Sequence, residues 1–161
     1  MTNWTIASVS PTVRPFEARI TAAIDAVHSR VAAISGPQSV AFTLKADRTR
    51  AIPRFGFGGS CYEPHAITLA FDTRNPNVDA HLDETLERTI AHKYHHALRW
   101  AGPGYGAKLG AALESEGSAG HFGLGEHVEG PRARRRSRTG GPRTARVWRR
   151  ALCRCQRSHA K

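Results

Sequence analysis

The chain has 161 residues, which is enough for one domain with its own core and too few for two domains of ordinary size. Its net charge of +11 is unevenly distributed, because residues 131–161 contain eleven Arg, one Lys and no acidic residue. The first 130 residues hold the remaining twelve basic side chains against thirteen acidic ones, so the predicted folded part is close to neutral and its composition does not mark it as a nucleic-acid-binding domain.

Cysteine usage and hydropathy favour a reducing, soluble setting. The three cysteines, Cys61, Cys153 and Cys155, do not form the pattern of a disulfide framework. The first residues lack the basic segment and apolar run of a signal peptide, and no apolar stretch approaches the length of a transmembrane helix. We therefore expect a cytoplasmic protein without a membrane partner.

A long amphipathic helix is predicted first. The segment Ser10-Pro11-Thr12 is typical of a helix start, and Gly36-Pro37 is typical of a helix end. Between them apolar residues recur at steps of three and four, which is the period of one buried helix face; they are Phe16, Ile20, Ile24, Val27, Val31 and Ile34. This pattern predicts a helix that packs against a core.

A small β region follows. Residues 39–44 alternate in polarity and predict a strand, Ile52-Pro53 begins a short extended piece, and residues 67–71 predict a second good strand. Between them Gly56, Gly58 and Gly59 favour a turn or bulge. These glycines could also cradle an anion, but they match neither phosphate-loop spacing.

Two further helices are predicted, over residues 79–100 and 107–122, separated by Gly102-Pro103-Gly104. Leu82, Leu86, Ile90, Tyr94 and Ala97 give the first of them an apolar side. In the second, the inward residues are expected to be Leu109, Ala112, Leu113 and Ala119. The elements together predict an α+β fold in which an N-terminal helix packs on a small sheet and two helices follow.

The composition changes after Gly123, and we place the domain boundary at residues 126 and 127. The Arg-rich segment 127–161 is expected to be a disordered tail, either neutral or the product of a reading-frame shift near Gly130, in preference to a nucleic-acid-binding segment that contacts phosphates. Cys153, Cys155 and His159 do not complete a four-ligand metal set.

The residues that could carry chemistry lie on the two later helices. His92 and His96 are four residues apart, so their imidazoles project from one helix face, one turn apart, as two ligands of one zinc ion require. His95 lies on the other shoulder of that helix. Glu116 shares a stripe with Leu109 and Leu113 and is expected to point toward the core, where a carboxylate needs a partner or a metal.

Simpler interpretations of the same residues remain open. His92 and His96 can be hydrogen-bonded helix histidines without a metal. Glu116 can form a salt bridge with Arg99 or Lys108, or cap a helix, while Glu114 is expected to face solvent.

Two segments resemble a bacterial family of zincin-like, zinc-dependent proteases classed as a domain of unknown function. Residues 89–99 resemble its zinc-binding helix, and residues 116–122, Glu-Gly followed by small residues and His-Phe, resemble its second signature. Residues 52–53, 58–59 and 67–72 are similar to its β segment, so the resemblance covers about residues 4–124.

The resemblance implies a Zn²⁺ ion held by His92, His96 and Glu116, and a peptide or protein substrate. It also implies a glutamate as general base at the position after the first histidine, where this chain has Lys93. A protonated lysine cannot accept a proton, so we expect little or no peptidase activity. Gly120 is a second departure, since the family pattern implies an acidic residue near there.

Three functions remain as hypotheses. The first is a zincin-like metallopeptidase domain that is impaired by Lys93, and the second is a non-catalytic binding or regulatory module with the same fold. The third is a nucleic-acid-binding protein that acts through its basic tail. Metal content separates the first two from the third, and restoring a carboxylate at position 93 separates the first from the second.

Overall fold

The computed structural model of the protein describes residues 3–100, 104 and 109–128, with side chains as far as residue 123. The strands are β1 (Trp4–Val9), β2 (Val40–Ala46), β3 (Phe57–Glu63) and β4 (Ala66–Phe71). The helices are α1 (Glu17–Ser35), α2 (Asn77–Ala80), α3 (Glu84–Trp100) and α4 (Leu109–Val128), and a short 3₁₀ turn, Arg14–Phe16, precedes α1.

The four strands form one mixed sheet in the order β1-β2-β4-β3. The β1–β2 and β2–β4 pairs are parallel, whereas β3 pairs with β4 in the antiparallel direction. Helix α1 connects the parallel strands β1 and β2, as such a connection requires a crossover of this length. The sheet therefore ends in β3, which lies beside α3.

The predicted first helix is confirmed as α1, although it begins at Glu17, after the 3₁₀ turn. Its residues Ile20, Ile24 and Val27 are fully buried and belong to one core cluster with sheet residues such as Phe42 and Leu69. Each such side chain contributes about 1.5–3 kcal/mol when it leaves water. Packing of this helix on the sheet confirms the predicted α+β class.

The helix ends at Ser35, and the next residue, Gly36, has a φ of 80°. That left-handed conformation is accessible to glycine without the strain a Cβ would cause. Ile34, predicted to be inward, is 38% exposed, because the last turn of α1 projects past the core.

Two strands were missing from the sequence prediction. β1 is an edge strand with mostly exposed or half-buried side chains, so it lacks a strong apolar signal. β3 contains Gly58 and Gly59, which the sequence assigned to a turn. A Cβ at Gly58 would lie 2.5 Å from the carbonyl oxygen of Arg50, and only glycine permits this close approach of two backbone segments.

The predicted helix over residues 79–100 is two helices, the single turn α2 and the longer α3. The apolar side of α3 is confirmed, since Leu86, Ile90 and Tyr94 are fully buried. Helix α3 contacts α1, β3 and α4. It is therefore the element around which the rest of the domain packs.

The inward register predicted for α4 was wrong at two positions. Leu109 is 77% exposed and Leu113 is 63% exposed, whereas Ser115, Ala119 and Phe122 are buried. Besides Phe122 the buried face carries the small side chains of Ser115 and Ala119, and α4 lies close to α3: a Cβ at Gly123 would be 3.1 Å from the carbonyl oxygen of Arg88.

Within the described residues, no helix is both long and apolar enough to cross a membrane. The domain boundary at residues 126 and 127 falls inside the helical span of α4. The predicted disordered tail lies almost entirely outside the described residues, as do Cys153, Cys155 and His159.

Candidate metal centre

Helix α3 is held in place by contacts on the side opposite its histidine pair. Tyr94 is fully buried, and its hydroxyl lies 2.7 Å from Nδ1 of His28 on α1. The same ring contacts the ring of Phe42 on β2, with 5.8 Å between centroids. Because Tyr94 lies midway between His92 and His96 along the helix, this anchoring fixes the direction in which both imidazoles point, which is toward α4.

The three predicted metal ligands converge at the crossing of α3 and α4. The Nε2 atoms of His92 and His96 are 3.0 Å apart. Glu116 places Oε2 3.2 Å from Nε2 of His92 and Oε1 3.4 Å from Nε2 of His96. The group forms a cluster of potential ligand atoms that could hold a metal ion.

These separations fit a tetrahedral ion. Zinc binds imidazole nitrogen and carboxylate oxygen at about 2.0–2.2 Å, so neighbouring ligand atoms of a tetrahedral site are about 3.3–3.6 Å apart. The 3.0 Å between the two Nε2 atoms and the 3.2 Å from Nε2 of His92 to Oε2 of Glu116 are close to that edge length. The 3.4 Å contact of His96 is made with the other carboxylate oxygen, Oε1.

Ser115 supports the orientation of one ligand. Its side chain is fully buried on α4, and Oγ lies 3.4 Å from Nδ1 of His96. When Nδ1–H donates to this hydroxyl oxygen, the lone pair of His96 is on Nε2, the atom that faces the cluster. Outer contacts of this kind orient and tune metal-binding histidines.

Electrostatics keep both imidazoles neutral near pH 7, the form that binds metals. Burial, followed by the charges of Lys93 and His92, lowers the pKa of His96 to about 4 against the opposing effect of Glu116. Burial also lowers the pKa of His92, again with a contribution from Lys93. Neutral imidazole can donate its lone pair without first losing a proton.

The predicted burial of Glu116 was wrong, although its role in the cluster is consistent with the geometry. Its side chain is 46% exposed and lies at the rim, beside the buried Ser115. The stripe that it shares with Leu109 and Leu113 faces outward, and the carboxylate reaches the histidines from the edge of that stripe. A rim position also leaves one side of the cluster open.

His95 lies outside the cluster, as predicted from its place on the other shoulder of α3. It is buried, and its ring lies 5.6 Å from that of Phe122 on α4. Burial is the main reason why its pKa falls to about 4. Its Nδ1 is buried and has no hydrogen-bond partner within the described residues.

Lys93 lies beside the cluster and lines a cavity of about 420 Å³. Burial lowers the pKa of Lys93, and the carboxylate of Glu116 opposes that shift. The cavity is open on one side and is lined by Ile52, Gly59, Arg88, Thr89, His92, Lys93, Gly120 and Gly123.

The sequence prediction missed the contribution of β3 and of Arg88 to this cavity. Gly59 lies beside the stem of Lys93, since a Cβ at position 59 would be 2.9 Å from Cγ of Lys93. The run of glycines in the sequence indicated an unusual backbone segment, but the spacing of these glycines could not indicate which helix would pack on them.

Comparison of the chain with protein-family models, with curated proteins and with solved structures finds no match. The resemblance to zincin-like proteases therefore rests on the segments quoted above. The geometry by itself defines an α+β protein with a His/His/Glu group that could hold a metal ion.

Proposed function

We propose that the protein is a zinc-binding domain of the zincin-like type that lacks an effective general base and has little or no peptidase activity. The observation that carries the proposal is the convergence of His92, His96 and Glu116 from two helices. Two histidines and one glutamate form the ligand set of one class of catalytic zinc site, in which a fourth position stays open. The exposed side of the cluster suits such an open position.

The chemistry of the ligands favours zinc over other common divalent ions. Mg²⁺ and Ca²⁺ prefer sites made of oxygen ligands, whereas two imidazole nitrogens suit zinc and neighbouring transition metals. The close approach of both imidazole nitrogens to each other and to the carboxylate of Glu116 is consistent with the same assignment. When bound, zinc supplies Lewis-acid chemistry at this position.

Lys93 is the reason to propose impaired catalysis. The resemblance places the general base of a peptidase at this position, directly after the first histidine ligand. A protonated amine cannot take a proton from attacking water, and loss of a general base typically reduces the rate by about 10²–10⁴. A non-catalytic binding or regulatory module with the same metal site is the second candidate, and the positive charge of Lys93 favours it.

A third candidate, a nucleic-acid-binding protein, depends on the Arg-rich tail. That segment lies outside the described residues. Nothing within the described residues supports this function.

Zinc titration of the purified full chain against a competing chelator tests the proposal. We expect the wild type to bind one equivalent that depends on His96, and His96→Ala to lose it. The matched control is His121→Ala, because His121 is an exposed histidine on α4 outside the cluster. Zinc that remains bound to His96→Ala would occupy a different site. The quantity compared is therefore the difference in bound zinc between the wild type and His96→Ala. Equal binding by the wild type and His96→Ala would refute the proposed site.

A further inference from the structure

The cavity beside the cluster has an unusual charge for a site that resembles a peptidase. Its described lining includes the cations Lys93 and Arg88 and no acidic residue. Arg88 is exposed and donates to Glu84, with 2.9 Å between Nη2 and Oε1, so its charge is partly neutralised. Lys93 is therefore the main cation that faces the cavity.

The position of Lys93 is set by packing against strand β3. A Cβ at Gly59 would lie 2.9 Å from Cγ of Lys93 and 3.3 Å from Cγ2 of Thr89, so the missing side chain makes room for both. The half-buried stem is thus held between α3 and the sheet edge. A lysine whose stem is confined in this way loses less freedom when its ammonium group binds a ligand.

A bound dication would change the balance of charge around the cavity. With zinc, one glutamate and one lysine, the formal charge of the group is about +2, because both imidazoles are neutral. With a carboxylate at position 93, the same group would be neutral. The substitution therefore changes a charge-balanced site into one that attracts anions.

We propose that the zinc-loaded cluster and the adjoining cavity bind a small oxyanion of the carboxylate or phosphate class, with the ammonium group of Lys93 as its partner. The cavity volume of about 420 Å³ leaves room for an organic acid or a phosphate ester. Gly120 and Gly123 of α4 also line the cavity, and apart from its chain neighbours and the backbone of its own helix, no described atom lies within 4 Å of where a Cβ of Gly120 would be. The α4 side of the cavity is thus open to a ligand. This inference rests on the proposed zinc site.

Isothermal titration of the zinc-loaded full chain with inorganic phosphate and, separately, with acetate tests the inference. We expect Lys93→Met to weaken binding of the preferred anion by about 10- to 100-fold, the range for one charge-assisted hydrogen bond. Lys93→Arg should retain most of the affinity. Lys45→Met is the matched control, because Lys45 is exposed on β2 and pairs with Asp47. A preference between the two anions would identify which class the cavity selects.

Two controls keep this test independent of the proposed function. Zinc affinity is measured in every variant: a wild type without zinc would refute the metal site, whereas a zinc-loaded wild type and Lys93→Met with equal anion affinity would refute the anion site alone. Amide resonances of the zinc-loaded wild type provide a readout without mutation. Phosphate or acetate should shift residues 59, 93 and 120, and shifts confined to other regions would overturn the assignment.

Discussion

Replacing Lys93 by glutamate should create zinc-dependent peptide hydrolysis that, on the proposed function, the wild type lacks or has only weakly. The residue follows the first proposed ligand on α3 and lines the cavity in which a substrate would lie. A carboxylate there can accept a proton from attacking water, which the ammonium group of lysine cannot do. The perturbation changes one side chain and tests whether the lack of a general base at position 93 limits hydrolysis.

The expected gain in hydrolysis rate follows from the general base that glutamate supplies and from the small structural cost of the substitution. A positioned general base contributes about 10²–10⁴ in rate, which corresponds to about 3–5 kcal/mol of activation free energy. Lysine and glutamate have similar helix propensities, so α3 should be unchanged. Glutamate also keeps the Cβ and Cγ atoms that pack beside Gly59. Removing the positive charge of Lys93 should in addition strengthen zinc binding.

The assay compares hydrolysis of a general peptide library by the zinc-loaded wild type, Lys93→Glu, Lys93→Gln and Lys93→Glu/His96→Ala. Lys93→Gln removes the positive charge without adding a base, so it should remain inactive, and the double variant should lose whatever Lys93→Glu gains. Robust zinc-dependent hydrolysis by the wild type would refute the reasoning. A folded, zinc-loaded Lys93→Glu without any gain would instead favour a non-catalytic module.

Three further predictions concern the supports of the site. Ser115→Ala should weaken zinc binding by about 10- to 100-fold in a chelator competition, because it removes the hydroxyl beside Nδ1 of His96; unchanged affinity would exclude an orienting role. Tyr94→Phe should lower the free energy of urea unfolding by about 1–3 kcal/mol, because it leaves buried His28 without its 2.7 Å partner, and His28→Leu in the same background should recover part of that loss. The pKa values of His95 and His96 are both lowered to about 4, so below about pH 6.5 the unfolded metal-free chain binds more protons than the folded chain. Unfolding free energy should therefore fall on acidification from about pH 7 to about pH 5, by on the order of 2 kcal/mol per histidine, and a flat profile in urea titrations would contradict the buried, neutral state of both rings.

Local periodicity carried most of the correct structural predictions. The histidine pair could be placed from sequence because residues four apart share a helix face wherever the helix packs. The core face of α1 could be placed because Ile20, Ile24 and Val27 repeat at helical spacing. Strand β3 could not be predicted, since its glycines are required by close contacts with the backbone of Arg50 and with the side chain of Lys93 on α3. Such tertiary requirements leave no periodic signal.

The register of α4 failed for a related reason. Its leucines suggested that the stripe through Leu109 and Leu113 was buried, but close packing against α3 selects the face with small residues instead. Glu116 therefore lies at a rim, with its side chain 46% exposed. The argument from the cost of a buried carboxylate selected Glu116 from an incorrect premise, and the approach of its carboxylate to both histidines is what supports the proposed assignment.

The arrangement on α3 also explains how ligands and general base can change independently. His92 and His96 face α4, whereas position 93 is about 100° further round the helix and lies against β3. A substitution at position 93 therefore leaves the ligand face unchanged, and the gap at Gly59 accommodates the lysine stem without moving the helix. Its main effect is electrostatic: it raises the charge of the proposed zinc-loaded site by two units relative to a carboxylate. Loss of the base and attraction for anions would then be two consequences of one substitution.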